Sequence, residues 1–144
     1  MKHGHLAITV KDMDKSLDFY CRVLGLKKAF EFANPEDGKP WIVYLYLGGG
    51  QYIELFYDGT TDNSWKPELR GFNHVAILVD DCAKKCAEIK AAGYPIDKEP
   101  KTSSVDNNWQ FWVTDPDGVR VEFMTLSPDS PQVKFAKAQG DYNG

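Results

Sequence analysis

Two stretches of this chain repeat one another. His5-Leu-Ala-Ile-Thr-Val10, followed by Asp12 and Lys15, returns as His74-Val-Ala-Ile-Leu-Val79, followed by Asp81 and Lys84. The pairs His5/His74, Ala7/Ala76, Ile8/Ile77, Val10/Val79, Asp12/Asp81 and Lys15/Lys84 all stand at an offset of 69 residues, and Ile53-Glu54-Leu55 returns as Val121-Glu122-Phe123 at 68. Self-similarity at a near-constant offset is the mark of a structural unit written more than once. Each copy carries one histidine and one glutamate at matching places, so a duplicated fold can present two imidazoles and two carboxylates to one ion.

Hydrophobic periodicity gives both copies the same element order. His5 to Val10 is apolar and partly β-branched, a strand. Asp14 to Leu24 places Leu17, Tyr20, Cys21 and Leu24 at helical spacing; Asp12 or Asp14 can cap its start and Gly25 its end. Lys27–Ala33, Trp41–Leu47 and Tyr52–Tyr57 read as strands, separated by the Asn34–Pro40 loop and the Gly48-Gly49-Gly50 turn. In the second copy Asn73–Val79 is a strand, Asp81–Ala92 a helix, Pro95–Lys98 a short strand, Glu99–Asn108 a polar loop, and Trp109–Thr114 and Val119–Met124 strands. Asp115-Pro-Asp-Gly118 between the last two is a β-turn, with Pro at its second position and Gly at its fourth. The expected fold class is therefore α+β, two tandem βαβββ modules forming a curved mixed sheet around a metal-binding cavity. The first module with its linker covers residues 1–67, the second 68–126, and a polar, loosely held tail 127–144.

The 144 residues suit one compact domain or two small interlocked modules, and a hydrophobic content of 42% supports a packed core. The net charge is −4 and no Lys/Arg run stands out, which argues against nucleic acid as a partner. No apolar stretch is long enough to span a bilayer, and no apolar run follows the start as a signal peptide requires, so the expected location is cytoplasmic. Cys21, Cys82 and Cys86 are odd in number and lack zinc-ribbon spacing; they are expected as small buried hydrophobes.

Strand parity then orients the four residues. Alternate strand residues face opposite ways. In the first strand Leu6, Ile8 and Val10 form the apolar face that belongs against a helix, so His5 points the other way. The same count sends His74, Glu54 and Glu122 to the non-helix face of their strands. A lone strand histidine is more often a hydrogen-bonded structural residue than a ligand, and a lone strand glutamate usually faces solvent. The repeat changes that balance, because two carboxylates and two imidazoles on inner faces are best explained by a cation. The candidate metal ligands are His5, Glu54, His74 and Glu122, held by a divalent ion such as Ni²⁺, Zn²⁺ or Co²⁺. For Cys82 and Cys86, four apart on one helix, core packing outweighs a soft-metal pair.

The motifs 5–20, Leu24-Gly25-Leu26, Ile53-Glu54-Leu55, Gly71-Phe-Asn-His-Val-Ala-Ile77 and Asp115-Pro-Asp-Gly-Val-Arg-Val-Glu122 resemble those of the vicinal oxygen chelate superfamily, the glyoxalase/bleomycin resistance/dioxygenase fold. Within it, the His/Glu/His/Glu set is similar to bacterial glyoxalase I, lactoylglutathione lyase. The resemblance implies a metal-dependent lyase or isomerase acting on a vicinal-oxygen substrate, such as the hemithioacetal of methylglyoxal with a thiol, through an enediolate. It implies Glu122 as the proton shuttle with Glu54 mirroring it, a glutathione adduct as the small-molecule substrate, and a homodimer. Arg70 matches a glutathione-carboxylate-binding arginine of that family. Thr9 stands where glyoxalase I usually has an arginine that helps hold glutathione, Tyr57-Asp58 where an asparagine contact is expected, and Lys101–Asn108 lacks the usual basic residues. Thr9, Arg70 and Trp109 are the candidate substrate-binding residues. The alternatives are another vicinal oxygen chelate metalloenzyme (a thiol transferase, isomerase or dioxygenase) and a drug- or metabolite-binding resistance protein.

Overall fold

Strand β1 (His5–Thr9) carries its apolar alternation onto one face: Ile8 is buried, while His5, Ala7 and Thr9 are exposed on the other. The computed structural model that shows this describes residues 3–62, 64–68 and 70–141. Helix α1 (Met13–Leu17) follows, its first turn closed by the Asp12 carboxylate, which accepts from the Lys15 N–H. The helix continues without a break into a wider π-helical segment, Asp18–Val23, where the Leu24 N–H reaches the Phe19 carbonyl. The wider turn changes which residues face inward. Phe19, Tyr20, Val23 and Leu24 are all buried, whereas Leu17 and Cys21, expected inward from regular helical spacing, are half-buried.

Strands β2 (Lys27–Ala33), β3 (Pro40–Gly48) and β4 (Gln51–Phe56) complete a four-stranded mixed sheet in the order β1-β4-β3-β2. The pair β1–β4 is parallel and the others antiparallel. The second module repeats this layout with β5 (Val75–Leu78), α2 (Cys82–Ala91), β6 (Lys98–Thr102), β7 (Trp109–Thr114) and β8 (Arg120–Thr125), in the order β5-β8-β7-β6 and again with one parallel pair. Asp81 caps α2 as Asp12 caps α1, through the Lys84 N–H. The expected α+β fold of two βαβββ modules is therefore present.

The chain falls into two compact units, one of residues 1–64 with 115–118 and the other of 65–114 with 119–144. The core of the first is built on Ile8, Phe19, Tyr20, Val43, Leu45, Ile53 and Leu55, and that of the second on Ile77, Cys82, Cys86, Ile89, Phe111, Val113, Val121 and Phe123. Cys82 and Cys86 are thus packed in the core as expected, and burial pushes both thiols up from their ordinary pKa. Cys21 is only half-buried.

Two local expectations are corrected. Strand β6 occupies Lys98–Thr102, where the sequence suggested a loop after Lys98, because the Lys98, Lys101 and Thr102 backbones pair with Trp112, Gln110 and Trp109 of β7. The remaining loop is braced from within: fully buried Asn108 donates from Nδ2 to Asp106 and accepts from the Ser127 N–H at 2.9 Å each. The segment expected to be a loose tail forms α3 (Pro131–Ala138), started by Ser130 with Pro131 in the first turn and anchored by buried Val133. The Asp115–Gly118 turn forms as expected, the Gly118 N–H donating to the Asp115 carbonyl, and does more than reverse the chain. Its buried Asp115 accepts from the Tyr20 hydroxyl at 2.8 Å, and Asp117 accepts from the Ser16 hydroxyl and the Lys11 N–H at 3.3 and 3.2 Å.

Candidate metal and substrate site

Each sheet holds one histidine–glutamate pair, and strand register makes the two pairs equivalent. In the parallel pair β1–β4, Ala7 lies opposite Glu54 and His5 is two residues before Ala7. In β5–β8, Ala76 lies opposite Glu122, and His74, just ahead of β5, is two residues before Ala76. Two residues along a strand is one step on the same face, so each imidazole sits diagonally from its carboxylate. His5 Nδ1 is 3.2 Å from Glu54 Oε1, and His74 Nε2 is 3.2 Å from Glu122 Oε2.

That spacing suits a shared cation. Two ligand atoms bound about 2.1 Å from an ion at a right angle lie about 3.0 Å from each other. Neutral imidazole nitrogen with ionised carboxylate oxygen is also a donor set for borderline divalent ions. Among the described residues no group of three or more His, Cys, Asp or Glu side chains converges; each unit by itself brings together one imidazole and one carboxylate.

The surroundings of the two carboxylates differ. Glu54 is buried, and Tyr44 stands directly opposite it in β3, where the interaction with Glu54, ahead of burial, raises the Tyr44 pKa. Opposite Glu122 stands Trp112, whose indole N–H donates instead to Gln110 at 3.1 Å. Burial raises the Glu122 pKa, and the charge of Asp106 adds to the rise, while His74 and then Arg120 oppose it.

The face of the first sheet that bears His5 and Glu54 is a wall of rings. Phe30 stacks on Tyr44 at 4.6 Å between centroids, Tyr52 lies 6.0 Å from Tyr44 and 5.4 Å from Tyr46, and Phe32 lies 5.5 Å from Phe30. Phe30, Phe32 and Tyr46 remain exposed. The corresponding face of the second sheet is basic and indole-lined. The Arg120 guanidinium lies 4.0 Å from the Trp65 ring centroid and 4.6 Å from that of Trp112, with the Lys98 ammonium 5.2 Å from Trp112.

The candidate substrate residues are distributed unevenly. Thr9 lies on the His5 face, opposite Phe56. Arg70 is exposed in the segment before β5. Trp109, expected to line the pocket, pairs with Thr125 on the same face as Phe111 and Val113, which is the helix-side core face; the indole on the Glu122 face is Trp112. Sequence reading missed Tyr44, Trp112, Arg120 and the ring wall. The available signal was hairpin register: counting outward from Gly48–Gly50 sets Tyr44 across from Glu54.

With this geometry in view, the comparisons with known proteins are decisive for the family. Residues 2–123 match the model of the Glyoxalase/Bleomycin resistance protein/Dioxygenase superfamily. The chain belongs to this superfamily. The superfamily member is 32% identical over 126 residues to a probable lactoylglutathione lyase of Synechocystis sp., covering 85% of this chain and 94% of the relative. It is 32% identical over 128 residues to the lactoylglutathione lyase of Escherichia coli O157:H7, covering 86% and 92%. Among solved structures, the trypanothione-dependent glyoxalase I of Leishmania major superimposes with a TM-score of 0.67 at 28% identity, covering 98% of this chain and 94% of that one. These relatives support a glyoxalase I-like or other vicinal oxygen chelate function. No helix among the described residues is long and apolar enough to cross a membrane.

Proposed function

We propose that this protein is a glyoxalase I-like, metal-dependent lyase that isomerises the hemithioacetal of a 2-oxoaldehyde, such as methylglyoxal, with a thiol. The observation that carries the reading is the duplicated His–Glu pair, 3.2 Å in each unit at equivalent register. His5, Glu54, His74 and Glu122 are the proposed ligands of a divalent ion (Ni²⁺, Zn²⁺ or Co²⁺), the two pairs being brought to it by one chain or by two copies in a homodimer. When bound, that ion supplies Lewis-acid polarisation of the two adjacent substrate oxygens.

The chain's own residues divide the remaining work. Glu122 takes the proton from the carbon bearing sulfur and returns it to the neighbouring carbon, while the hydroxyl proton passes between the two oxygens. The product is a hydroxyacyl thioester with no atom gained or lost. Its raised pKa suits this role, because a carboxylate nearer neutrality is the stronger base. Glu54, buried and opposite Tyr44, acts mainly as a ligand. Arg70, Thr9 and Trp112 are the proposed substrate contacts, with the solvent-exposed Trp109 at the strand end.

A second reading, a different vicinal-oxygen substrate on the same site, is favoured by the ring wall around Glu54. Rings in contact at these spacings recognise apolar or aromatic groups. An assay of metal-stripped protein reloaded with Ni²⁺ or Zn²⁺, given methylglyoxal and glutathione, tests the first reading. Thioester formation that needs metal and is lost in Glu122→Gln is the expected result. Metal binding without turnover transfers the proposal to the second.

A further inference from the structure

The two His–Glu pairs match in register but not in how their imidazoles are held. In the second unit the residue before the histidine is Asn73, whose Oδ1 lies 2.7 Å from His74 Nδ1. An amide oxygen only accepts, so Nδ1 carries the proton; in the neutral ring the lone pair is then on Nε2, the nitrogen 3.2 Å from Glu122. In the first unit the preceding residue is Gly4, which has no side chain to play that part, and the nitrogen facing Glu54 is Nδ1.

Asn73 is itself held in place. Arg120 Nη1 donates to the same Oδ1 at 3.4 Å. The planar Arg120 guanidinium lies between the Trp65 and Trp112 rings, which leaves its in-plane N–H groups for hydrogen bonding. The Trp112 ring also meets His74 edge-on, 4.8 Å between centroids at 65°. One indole thus packs against both the arginine and the imidazole, and Asn73 joins the two by hydrogen bonds.

We propose that Asn73, held by Arg120 between Trp65 and Trp112, is a positioning residue that commits His74 to the Nδ1–H tautomer and so keeps Nε2 as the electron-pair donor toward a divalent cation beside Glu122. The proposal rests on the metal reading above. A histidine ligand whose other nitrogen donates to a protein acceptor is fixed in ring orientation, and losing such an acceptor typically lowers metal affinity about 10–100-fold. The pseudo-symmetric His5 has no such side chain at the preceding position, so the second unit supplies the better organised half of the ligand set.

The test has a metal-free arm and a metal arm. In the first, nitrogen-15 NMR of histidine-labelled, metal-free protein near pH 8, well above the ordinary histidine pKa of about 6.5, reads the tautomer of His74, assigned with His74→Gln. The expected spectrum shows Nδ1 protonated in the wild type, Nδ1 protonation reduced in Asn73→Gly, and Nδ1–H restored in Asn73→Asp, which keeps an acceptor. In the second, Ni²⁺ titration calorimetry is expected to show binding weakened about 10–100-fold in Asn73→Gly and little changed in Asn73→Asp. An unchanged tautomer in Asn73→Gly, or equal failure of the Gly and Asp variants in both readouts, overturns the proposal. A wild type that binds no Ni²⁺, Co²⁺ or Zn²⁺ overturns the metal reading instead, and the NMR arm still decides what Asn73 does.

Discussion

Tyr44 stands directly across from Glu54 in the β3–β4 pair, whereas the matching place across from Glu122 holds Trp112, an indole that points its N–H to Gln110. Two carboxylates at equivalent positions of a duplicated fold therefore sit in unlike environments. One is buried and faces a tyrosine; the other is half-buried beside an indole, with its pKa raised by desolvation.

Glu122→Gln is expected to lower kcat/KM for the methylglyoxal–thiol adduct by about 10²–10⁴-fold, the usual worth of a general base. Glu54→Gln should act first on metal affinity. Steady-state kinetics at saturating metal separates the two, and an equal loss of kcat in both variants under those conditions would remove the asymmetry claimed for them.

Tyr44→Phe keeps the ring wall and removes only the hydroxyl of the residue opposite Glu54. We expect metal affinity to fall by about tenfold, as for loss of other supporting hydrogen bonds around a ligand, with the fold unchanged by circular dichroism. Competition with a chromogenic chelator measures it; an affinity equal to wild type would show that the hydroxyl does not organise Glu54.

Acid should weaken metal binding early. Burial raises the Glu122 pKa in the metal-free protein, so a proton competes with the cation at pH values where an ordinary glutamate is already ionised. For stability without metal the sign is opposite to that of a paired carboxylate. Because the folded pKa lies above the unfolded value of 4.5, the contribution is full below that value and is lost as pH rises through the folded pKa. Urea melts in chelator from about pH 4 upward should show this loss in the wild type and not in Glu122→Gln.

Tyr20→Phe leaves the buried Asp115 carboxylate one donor short, since the Tyr20 hydroxyl reaches it at 2.8 Å. A lost partner at a buried acceptor costs about 1–3 kcal/mol, read as a lower denaturant midpoint at unchanged slope. A midpoint within error of wild type would mean the bond contributes little.

Much of the fold was legible because its signals are local. The repeat at an offset of 69, the Asp12 and Asp81 caps and the two-residue strand parity each act within a few residues, and they led to βαβββ modules with both glutamates on the non-helix face. Where the reading failed, the cause was non-local. β6 exists through pairing with β7, α3 through the burial of Val133, and the inward turn of Phe19 and Val23 through a widened helix. Strand parity already set Trp109 and Trp112 on opposite faces, and cross-strand register put the second one opposite Glu122.

The amino-acid sequence by itself determined the duplication, the element order, and which side of each strand His5, Glu54 and Glu122 occupy, because periodicity and capping depend on neighbours in the chain. Tertiary structure alone decided the distant partners: the Trp65 ring for Arg120 and Tyr20 for Asp115. Those pairings depend on register between strands and on packing between segments distant in sequence, and a hydrogen bond of 2.8 Å, such as that from the Tyr20 hydroxyl to Asp115, forms only once those segments have been placed.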